Sequence, residues 1–368
     1  MIIAVDCYES GTYSTGVGQS IENVLKELVP MMPNEEFIAL SREPIEMYMP
    51  SSVTQYVLSP DKGYFRWQNG PLRRKLKQIQ PDILIAPNYT LPVMTRCKSI
   101  LVVHDVSFVS HPEWYSTKES LKRKFFVQRS VRKADYVVVV SRTVKGELMK
   151  YMDVEPGKIE VMYHGVDNRF QKSPANRILE WKRKKGLDNK LIVGYLGSIF
   201  NRRHIPILIK SVELLRRDLP ELILYIIGKD MTHPPQDVAA LVKKDWIKWE
   251  ERLGSEDLLL FYSALDVFAY ISEYEGFGLP PLEALACGTV PVVLNKSSLG
   301  EIYQDIAFLS DDAVVEQVAE ALKDAIQDDQ AKSRILEKFT QKRSLFSWKN
   351  SANGFKRLID NIGRRPHA

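Results

Sequence analysis

Two glutamates, Glu275 and Glu283, flank a glycine- and proline-containing turn in the string EGFGLPPLE. The apolar run at residues 267–271 predicts a strand before the turn. Pro281 suits the first turn of a helix, because its missing N–H would be unpaired there. A strand, a glycine turn and a helix start form an anion site, since free N–H groups and the positive end of the helix dipole point at it. Two flanking carboxylates suit a ligand with a central phosphate and hydroxyls at both ends, such as a nucleotide-sugar.

Length and composition limit the classes of protein. The chain has 368 residues, which fits two domains, and its 45% apolar and 26% charged contents are those of a globular protein. A net charge of +5 is too small to indicate a nucleic-acid partner. The three cysteines, Cys7, Cys97 and Cys287, are far apart and lack C-x-x-C spacing, so they predict neither a disulfide framework nor a zinc site.

The chain carries no pattern that predicts export or a membrane span. Its start, MIIAVDCYES, lacks a basic segment followed by a long apolar one. No apolar run approaches the roughly 20 residues that cross a bilayer. We therefore expect a cytoplasmic protein, soluble or peripheral to the membrane.

Short apolar runs alternate with amphipathic stretches along the whole chain. Most runs are continuously apolar, which is typical of parallel strands covered by helices on both faces. The predicted strands are residues 2–6, 37–41, 83–86, 100–104, 136–140, 159–163, 191–196, 222–227, 267–271, 290–294 and 307–309. The predicted helices are residues 17–28, 118–132, 142–151, 205–217, 257–264 and 314–326. The pattern predicts an α/β fold with two doubly wound, Rossmann-like domains.

The domain boundary is predicted at residues 167–189, which contain Pro174, a basic cluster and few large apolar side chains. This gives an N-terminal domain at residues 1–170 and a C-terminal domain at residues 171–346. Ser347 is a plausible N-cap for a terminal amphipathic helix, residues 347–368.

The string EGFGLPPLE and the run GTVPVVLNKSSLGEI that follows it resemble the E-x7-E region of retaining glycosyltransferases of family 4. That family has the two-domain GT-B fold and contains many bacterial mannosyltransferases. The resemblance runs from about residue 15 to residue 348 and is thin at residues 35–70. It implies two domains facing across a cleft, with the acceptor on the first and the donor on the second. It also implies a terminal helix that packs back on the first domain.

The resemblance implies a role for each residue of the turn. Glu283 would hold the ribose hydroxyls and Glu275 would contact the donor sugar. The donor phosphates would lie against the turn and the helix start, at Gly276, Phe277, Gly278 and Leu279. The alternative is that Glu275 is a solvated loop residue and Glu283 an ordinary acid in a first helical turn.

Two further segments resemble the family. In VVHDVSFVSHPEWYS, His104 would line the donor-sugar pocket close to the reacting carbon, whereas Asp105 would hold the loop. A structural histidine that caps the next turn is the alternative. In Thr15-Gly16-Val17-Gly18, the turn with Gly16 and Gly18 would face the donor phosphate, although a tight turn is the commonest meaning of Gly-x-Gly.

Basic residues follow the predicted strand at residues 191–196. Where the family usually has a basic residue that neutralises the donor diphosphate, this chain has Arg203, whose guanidinium matches phosphate oxygens. Arg202 is a candidate second charge, and a solvated basic turn is the alternative. His164 replaces the family's asparagine before the hinge.

The predicted reaction is transfer of a hexose, with GDP-mannose the first choice of donor, to a hydroxyl of a glycan or lipid-linked acceptor. No Asp-x-Asp pair follows a strand, so we expect no divalent metal and no other cofactor. UDP- or dTDP-sugar donors share the motifs. The rivals are a two-carboxylate glycosidase, a nucleotide-sugar isomerising enzyme and an inactive scaffold. The nucleobase, acceptor, linkage and oligomeric state stay open.

Two basic segments indicate a membrane partner. Residues 62–80 carry six basic residues and no acid, interleaved with Phe65 and Trp67, and residues 118–133 are also strongly basic, with Phe125 and Phe126. Such segments suit an anionic membrane surface at the inner face of the plasma membrane. The alternative is two ordinary solvated helix faces.

Overall fold

The computed structural model describes residues 1–11, 16–45, 49–58, 63–94 and 96–364. Thr15 and Lys62 of the motifs above lie outside these residues. The chain forms two compact units: residues 1–165 together with the segment from Leu345 onwards, and residues 166–344. The sequence had placed these divisions at residues 170 and 346.

Unit 1 is built on a seven-stranded, wholly parallel sheet with strand order β3-β2-β1-β4-β5-β6-β7. Its strands are β1 (Ile2–Asp6), β2 (Glu36–Ser41), β3 (Thr54–Val57), β4 (Ile83–Ala86), β5 (Lys98–Val103), β6 (Tyr136–Val139) and β7 (Ile159–Val161). The order reverses next to β1, as in doubly wound sheets, whose ligands bind at the carboxyl ends of the strands.

Helices connect these strands. They are α1 (Gly16–Leu28), α2 (Tyr64–Trp67), α3 (Arg73–Ile79), α4 (Ser107–Ser110), α5 (Thr117–Lys133) and α6 (Arg142–Met152). A π-helical turn, Gln68–Leu72, joins α2 to α3. The sheet is covered because its central strands are apolar on both faces: every residue of β4 and β6 is buried.

Unit 2 repeats the architecture with six parallel strands in the order β10-β9-β8-β11-β12-β13. The strands are β8 (Leu191–Leu196), β9 (Leu222–Ile227), β10 (Ile247–Glu250), β11 (Val267–Tyr270), β12 (Pro291–Leu294) and β13 (Phe308–Ser310). The helices are α7 (Ala175–Lys184), α8 (Ile205–Leu215), α9 (Val238–Leu241), α10 (Ser255–Ala264), α11 (Leu279–Ala286), α12 (Ser297–Tyr303), α13 (Val315–Gln327) and α14 (Asp329–Lys342).

The last helix, α15 (Trp348–Gly363), belongs to unit 1 and packs on α1. Ser347 is its N-cap, as predicted, because its Oγ accepts from the N–H of Asn350 at 3.2 Å. Ser351 donates to the carbonyl oxygen of Tyr163, which ties the helix to the segment after β7.

The predicted α/β class with two doubly wound sheets is confirmed, and the predicted strands are present within two residues at each end. The predicted boundary segment at residues 167–189 contains α7, a helix that was not predicted. That helix buries Trp181, whose Nε1 donates to Asp257 at 3.0 Å. Strands β3 and β10 were not predicted.

Candidate active site

The carboxylate of Glu275, in the loop between β11 and α11, is held through one oxygen. Oε1 accepts from the hydroxyls of Tyr270 at 3.1 Å and Ser272 at 2.9 Å. It also accepts from Nε of Arg203 at 3.0 Å. Because three side chains converge on Oε1, the carboxylate has a defined orientation. Among the described residues, Oε2 is the oxygen that remains to accept from a ligand.

The backbone of Glu275 is fixed by the first turn of α12. Its N–H donates to Oγ of Ser297 at 3.0 Å, and its carbonyl oxygen accepts from Oγ of Ser298 at 2.7 Å. Ser298 is fully buried. The side chain and the main chain of Glu275 are therefore both immobilised, which is the organisation a binding or catalytic carboxylate needs.

Arg203 is the last residue of the turn that follows β8. Its guanidinium forms an ion pair with Glu275 instead of facing solvent. Its Nη1 donates to the carbonyl oxygen of Ser198 at 2.7 Å. Gly197 permits this path, because its φ is +141° and a Cβ there would lie 2.4 Å from Nη1. A guanidinium has five N–H groups, so Arg203 retains donors for an anion.

Arg202 lies in the same turn but faces other partners. Its guanidinium carbon lies 4.4 Å from the ring centroid of Phe200, and its carbonyl oxygen accepts from the N–H of Glu273 at 2.8 Å. The guanidinium carbon of Arg203 also lies near Phe200, at 5.5 Å from the ring centroid, and Arg203 in addition pairs with Glu275.

The start of α11 differs from an ordinary helix N-terminus, because Pro280 and Pro281 carry no N–H. The hydroxyl of Tyr303 accepts from the N–H of Leu282 and donates to the carbonyl oxygen of Gly278. The backbone donors for an anion therefore belong to the preceding turn, at residues 276–279.

Gly276, Phe277, Gly278 and Leu279 form this turn. Gly278 has a φ of +86°, and a Cβ there would lie 2.6 Å from Cδ2 of Leu299. Only glycine fits that conformation and that space. Phe277 is buried, so its side chain anchors the turn.

Glu283 lies one turn into α11 and is half-buried. Its Oε2 accepts from the hydroxyl of Tyr262 at 2.7 Å. Burial raises the pKa of this carboxyl, and the hydrogen bond from Tyr262 opposes that rise. A carboxylate with one anchored oxygen and one further oxygen can accept from hydroxyl groups of a ligand.

In unit 1, His104 directly follows β5, and its Nε2 lies 3.0 Å from the carbonyl oxygen of Pro87. A carbonyl oxygen can only accept, so Nε2 carries the proton. Burial lowers the pKa of His104, which keeps the ring neutral and makes Nδ1 an acceptor. His104 can therefore accept a hydrogen bond from a hydroxyl.

His164 lies beside His104, with 5.5 Å between the ring centroids. It is buried, and its Nδ1 lies 3.3 Å from Oγ of Ser20. Burial, followed by the neighbouring His104, holds the pKa of His164 well below its usual value. The two rings therefore form a neutral pair in the interior of unit 1.

Asp105 holds the loop after β5, as predicted. Its Oδ1 accepts from the N–H and the hydroxyl of Ser107, and its Oδ2 accepts from Tyr89 at 2.7 Å.

Gly18, in α1, is buried against the loop after β1, and a Cβ there would lie 2.0 Å from the carbonyl oxygen of Glu9. Gly16, at the start of the helix, is exposed.

The structure thus joins Arg203, Glu275 and the turn at 276–279 in unit 2, and it pairs His104 with His164 in unit 1. Sequence reasoning missed the residues that hold the two glutamates. These are Tyr262, Tyr270, Ser272, Ser297 and Ser298. It also missed Tyr303, whose hydroxyl holds the turn at Gly278. The only sequence signal was the pair of serines after β12, within the string that carried the family resemblance.

No three His, Cys, Asp or Glu side chains that could hold a metal ion come together in the part of the chain that the structure describes. Within the same ranges, no helix has the length and apolar character needed to cross a membrane.

Solved structures share this fold. Anabaena Alr3699/HepE in complex with UDP and glucose matches with a TM-score of 0.76 and 16% identity, over 98% of this chain and 100% of its own. WaaG, a glycosyltransferase involved in lipopolysaccharide biosynthesis, matches with a TM-score of 0.76 and 15% identity, over 99% and 100%. The fold is that of the GT-B glycosyltransferases.

Family comparisons narrow the class. Residues 15–170 match the family described as Glycosyltransferase Family 4, and residues 178–343 match Glycosyl transferases group 1. The chain therefore consists of a Glycosyltransferase Family 4 domain followed by a Glycosyl transferases group 1 domain. It is 26% identical to O-antigen chain mannosyltransferase B of Escherichia coli, over 75% of this chain and 73% of the relative. It is also 26% identical to the serotype-specific mannosyltransferase WbdA of Escherichia coli, over 71% of this chain and 34% of the relative.

Proposed function

We propose that this chain is a retaining, metal-independent hexosyltransferase that moves mannose from GDP-mannose to a hydroxyl of a glycan or lipid-linked acceptor. The observation that carries the proposal is the immobilised carboxylate of Glu275 beside Arg203 and a turn of backbone donors. The names of the Escherichia coli relatives support mannose as the sugar. We choose GDP as the nucleotide of the donor because the proposed sugar is mannose.

In the proposed reaction, the acceptor oxygen bonds to the anomeric carbon as the bond from that carbon to the phosphate oxygen breaks. The leaving diphosphate takes the bonding electron pair and the proton of the acceptor hydroxyl. Its growing charge is stabilised by Arg203 and by the N–H groups of residues 276–279. Oε2 of Glu275 accepts from a sugar hydroxyl, and Glu283 accepts from the ribose. No step needs a metal ion or a covalent intermediate.

A thermal-shift panel of GDP, UDP, ADP and dTDP, each with and without its sugar, tests the donor. We expect a selective shift with GDP and GDP-mannose. Glu275→Gln should keep the shift with GDP but lose most of the additional shift with GDP-mannose. A selective shift with UDP would favour a UDP-sugar donor, and HepE has also been solved in complex with UDP-glucose.

Stereochemistry and metal dependence are tested on the product. Proton NMR should show the same anomeric configuration in donor and product, and EDTA should leave the rate unchanged. An inverted product would contradict the retaining mechanism. A rate that falls with EDTA and returns with Mg²⁺ would contradict metal independence.

We also propose that unit 1 contacts an anionic membrane at the inner face of the plasma membrane. Phe65, Leu121 and Phe125 are large apolar side chains that are 41%, 62% and 64% exposed. The rings of Phe65 and Phe126 lie 4.7 Å apart, which joins the segment at residues 64–79 to α5. We call these two segments the basic face. Helix α5 contributes seven basic side chains to it against one acid, Glu119. The basic side chains are Lys118, Lys122, Arg123, Lys124, Arg129, Arg132 and Lys133.

Co-sedimentation with vesicles that contain anionic lipid tests this partner. Reversing the charges of Arg73, Arg74 and Lys75 should reduce the bound fraction. The matched control reverses Lys182, Arg183 and Lys184, which form a basic cluster on α7 of unit 2. Equal losses in both triple variants, or no binding of the wild type, would contradict the proposal.

A further inference from the structure

Unit 1 contains a cavity of about 480 Å³ to which no ligand is assigned above. It lies between α2, the segment after β4 and α5. Small-molecule sites have volumes of about 300–1,000 Å³, so the cavity is large enough for a ligand. Its lining divides into a polar floor, two tyrosine walls and a rim that belongs to the basic face.

The floor is made of groups that recognise hydroxyls. Asn88 donates from Nδ2 to Oε1 of Glu9 at 3.2 Å. Thr90 also lines the cavity, and its hydroxyl donates to Gln68 at 3.1 Å. The carboxylate of Glu9 and the amide of Asn88 each have further donor or acceptor capacity for a ligand.

The walls are held in place by carboxyl groups outside the cavity. Tyr64 donates its hydroxyl to Oδ2 of Asp6 at 2.8 Å, and Tyr89 donates to Oδ2 of Asp105 at 2.7 Å. Each ring is therefore fixed at its far end. Rigid aromatic rings beside carboxylate and amide groups suit a sugar, whose C–H faces are apolar and whose edge carries hydroxyls.

The rim carries a cation. Arg123 is paired with Glu119 at 2.8 Å. Lys122 forms no ion pair with any described residue, and its Nζ lies 5.7 Å from the ring centroid of Phe65. Leu121 and Phe125, on the same helix, are exposed. A ligand that leaves the cavity therefore meets a positive charge and then apolar side chains.

We propose that this cavity binds the terminal sugar of the acceptor, and that the acceptor is an amphiphile with a phosphate between its sugar and its lipid. The sugar lies on the floor at Glu9 and Thr90, the phosphate at Lys122 and the lipid beyond Leu121 and Phe125. The inference rests on the proposed function and names the acceptor class, because a soluble glycan would use neither the cation nor the exposed apolar side chains.

Two synthetic probes test which part of the ligand each residue contacts. One is decyl phosphate esterified to mannose, and the other is decyl mannoside, which lacks the phosphate. Binding is measured by calorimetry and transfer by release of nucleotide. Glu9→Gln and Thr90→Val should weaken binding of both probes at least tenfold. Lys122→Gln should weaken only the phosphate probe, to the level of decyl mannoside. Lys118→Gln, an exposed lysine one turn earlier in α5 and outside the cavity lining, is the control and should change neither.

Nucleotide binding, followed by thermal shift, should stay unchanged in all four variants. If Glu9→Gln and Thr90→Val both bind the probes as the wild type does, the acceptor site is wrong while the proposed function stands. If Lys122→Gln weakens both probes equally, the phosphate assignment is wrong. If the wild type releases no nucleotide from any sugar nucleotide with either probe, the proposed function itself fails.

Discussion

Arg203 reaches Glu275 through two nitrogens of its guanidinium, since Nε and Nη2 both lie 3.0 Å from Oε1. The two side chains are only 11% and 13% exposed. A third nitrogen, Nη1, donates to Ser198, so the guanidinium bridges two loops of unit 2. The orientation of the candidate catalytic carboxylate therefore depends on Arg203 as well as on its own loop.

Arg203→Ala should lower both stability and activity. It leaves the Glu275 carboxylate buried without its counter-charge, and breaking such a pair costs about 3 kcal/mol. Turnover should fall at least 100-fold, because the carboxylate loses its fixed orientation. Arg203→Lys should have intermediate stability and activity, since the single ammonium group of a lysine cannot reproduce the planar set of donors of a guanidinium. Urea unfolding and initial rates measure the two effects.

The control for this prediction is Lys184→Ala, which breaks the exposed pair between Lys184 and Glu180 in α7. Exposed pairs on a helix contribute little to stability, so stability and turnover should stay close to wild type. Equal losses of stability in the two alanine variants would show that the Arg203–Glu275 pair contributes no more to stability than an exposed surface pair.

Most strands that the sequence predicted are buried on both faces, although the half-buried edge strands β7 and β13 were predicted too. Strands such as β9 are continuously apolar because helices cover both sides of the sheet. The missed strands lie at sheet edges and lack that pattern: all four residues of β3 are exposed, and those of β10 are half-buried. Helix α7 was missed because it buries one side chain, Trp181, within a basic segment.

The site was predictable only where its residues are adjacent in sequence. Glu275, Glu283 and the turn between them stand in one string, and the string indicated their chemistry. Ser272 and Tyr270 are near Glu275 in sequence. The other hydroxyls come from distant elements, because Ser298 is 23 residues from Glu275 and Tyr262 is 21 residues from Glu283. A serine or tyrosine acquires such a role only when the fold brings it to the carboxylate.

Gly18→Ala should destabilise the protein, although alanine is the better helix former. A Cβ at Gly18 would lie 2.0 Å from the carbonyl oxygen of Glu9, and overpacking of this kind costs about 1–3 kcal/mol. Gly146→Ala is the matched control. Gly146 is inside α6 with no described atom within 4 Å of an added Cβ, so that variant should gain about 0.5–1 kcal/mol. Urea unfolding of both variants measures the contrast, and a gain of stability in Gly18→Ala would contradict the close approach.

Asp6→Asn should become more stable relative to the wild type as the pH rises. Burial raises the pKa of Asp6 from 3.8 to about 7, against hydrogen bonds from Tyr64 and Tyr8 that lower it. Between these values the folded state holds a proton that the unfolded state has released, so the wild type loses stability as the pH rises through 7. An asparagine does not titrate and can still accept from Tyr64. The difference in unfolding free energy should grow by about 1.4 kcal/mol for each pH unit between 5 and 7 and then level off.

Parallel stability curves for Asp6→Asn and the wild type would show that the Asp6 carboxyl is ionised in the folded protein. The hydrogen bond from Tyr64 would then go to a carboxylate, and the pKa would lie near or below 3.8. Urea unfolding at pH 5, 6, 7 and 8 distinguishes the two outcomes.

His164→Asn should make the stability of the protein less sensitive to acid. The pH dependence that His164 contributes has the opposite sign to that of Asp6. Burial holds the pKa of His164 well below 6.5, so below that pH the unfolded state binds a proton that the folded state does not. The wild type therefore loses stability as the pH falls below 6.5. An asparagine can keep the hydrogen bond to Ser20 and cannot be protonated.

The difference between His164→Asn and the wild type isolates this effect, because His104 and Asp6 titrate in both proteins and cancel. The variant should lose about 1 kcal/mol less than the wild type between pH 6.5 and pH 5.5, since a full proton difference is about 1.4 kcal/mol per pH unit. Urea unfolding at the two pH values measures it. Equal losses would mean that His164 takes up a proton in the folded state, which would require water or a carboxylate beside the ring rather than the neutral His104 that the structure places there.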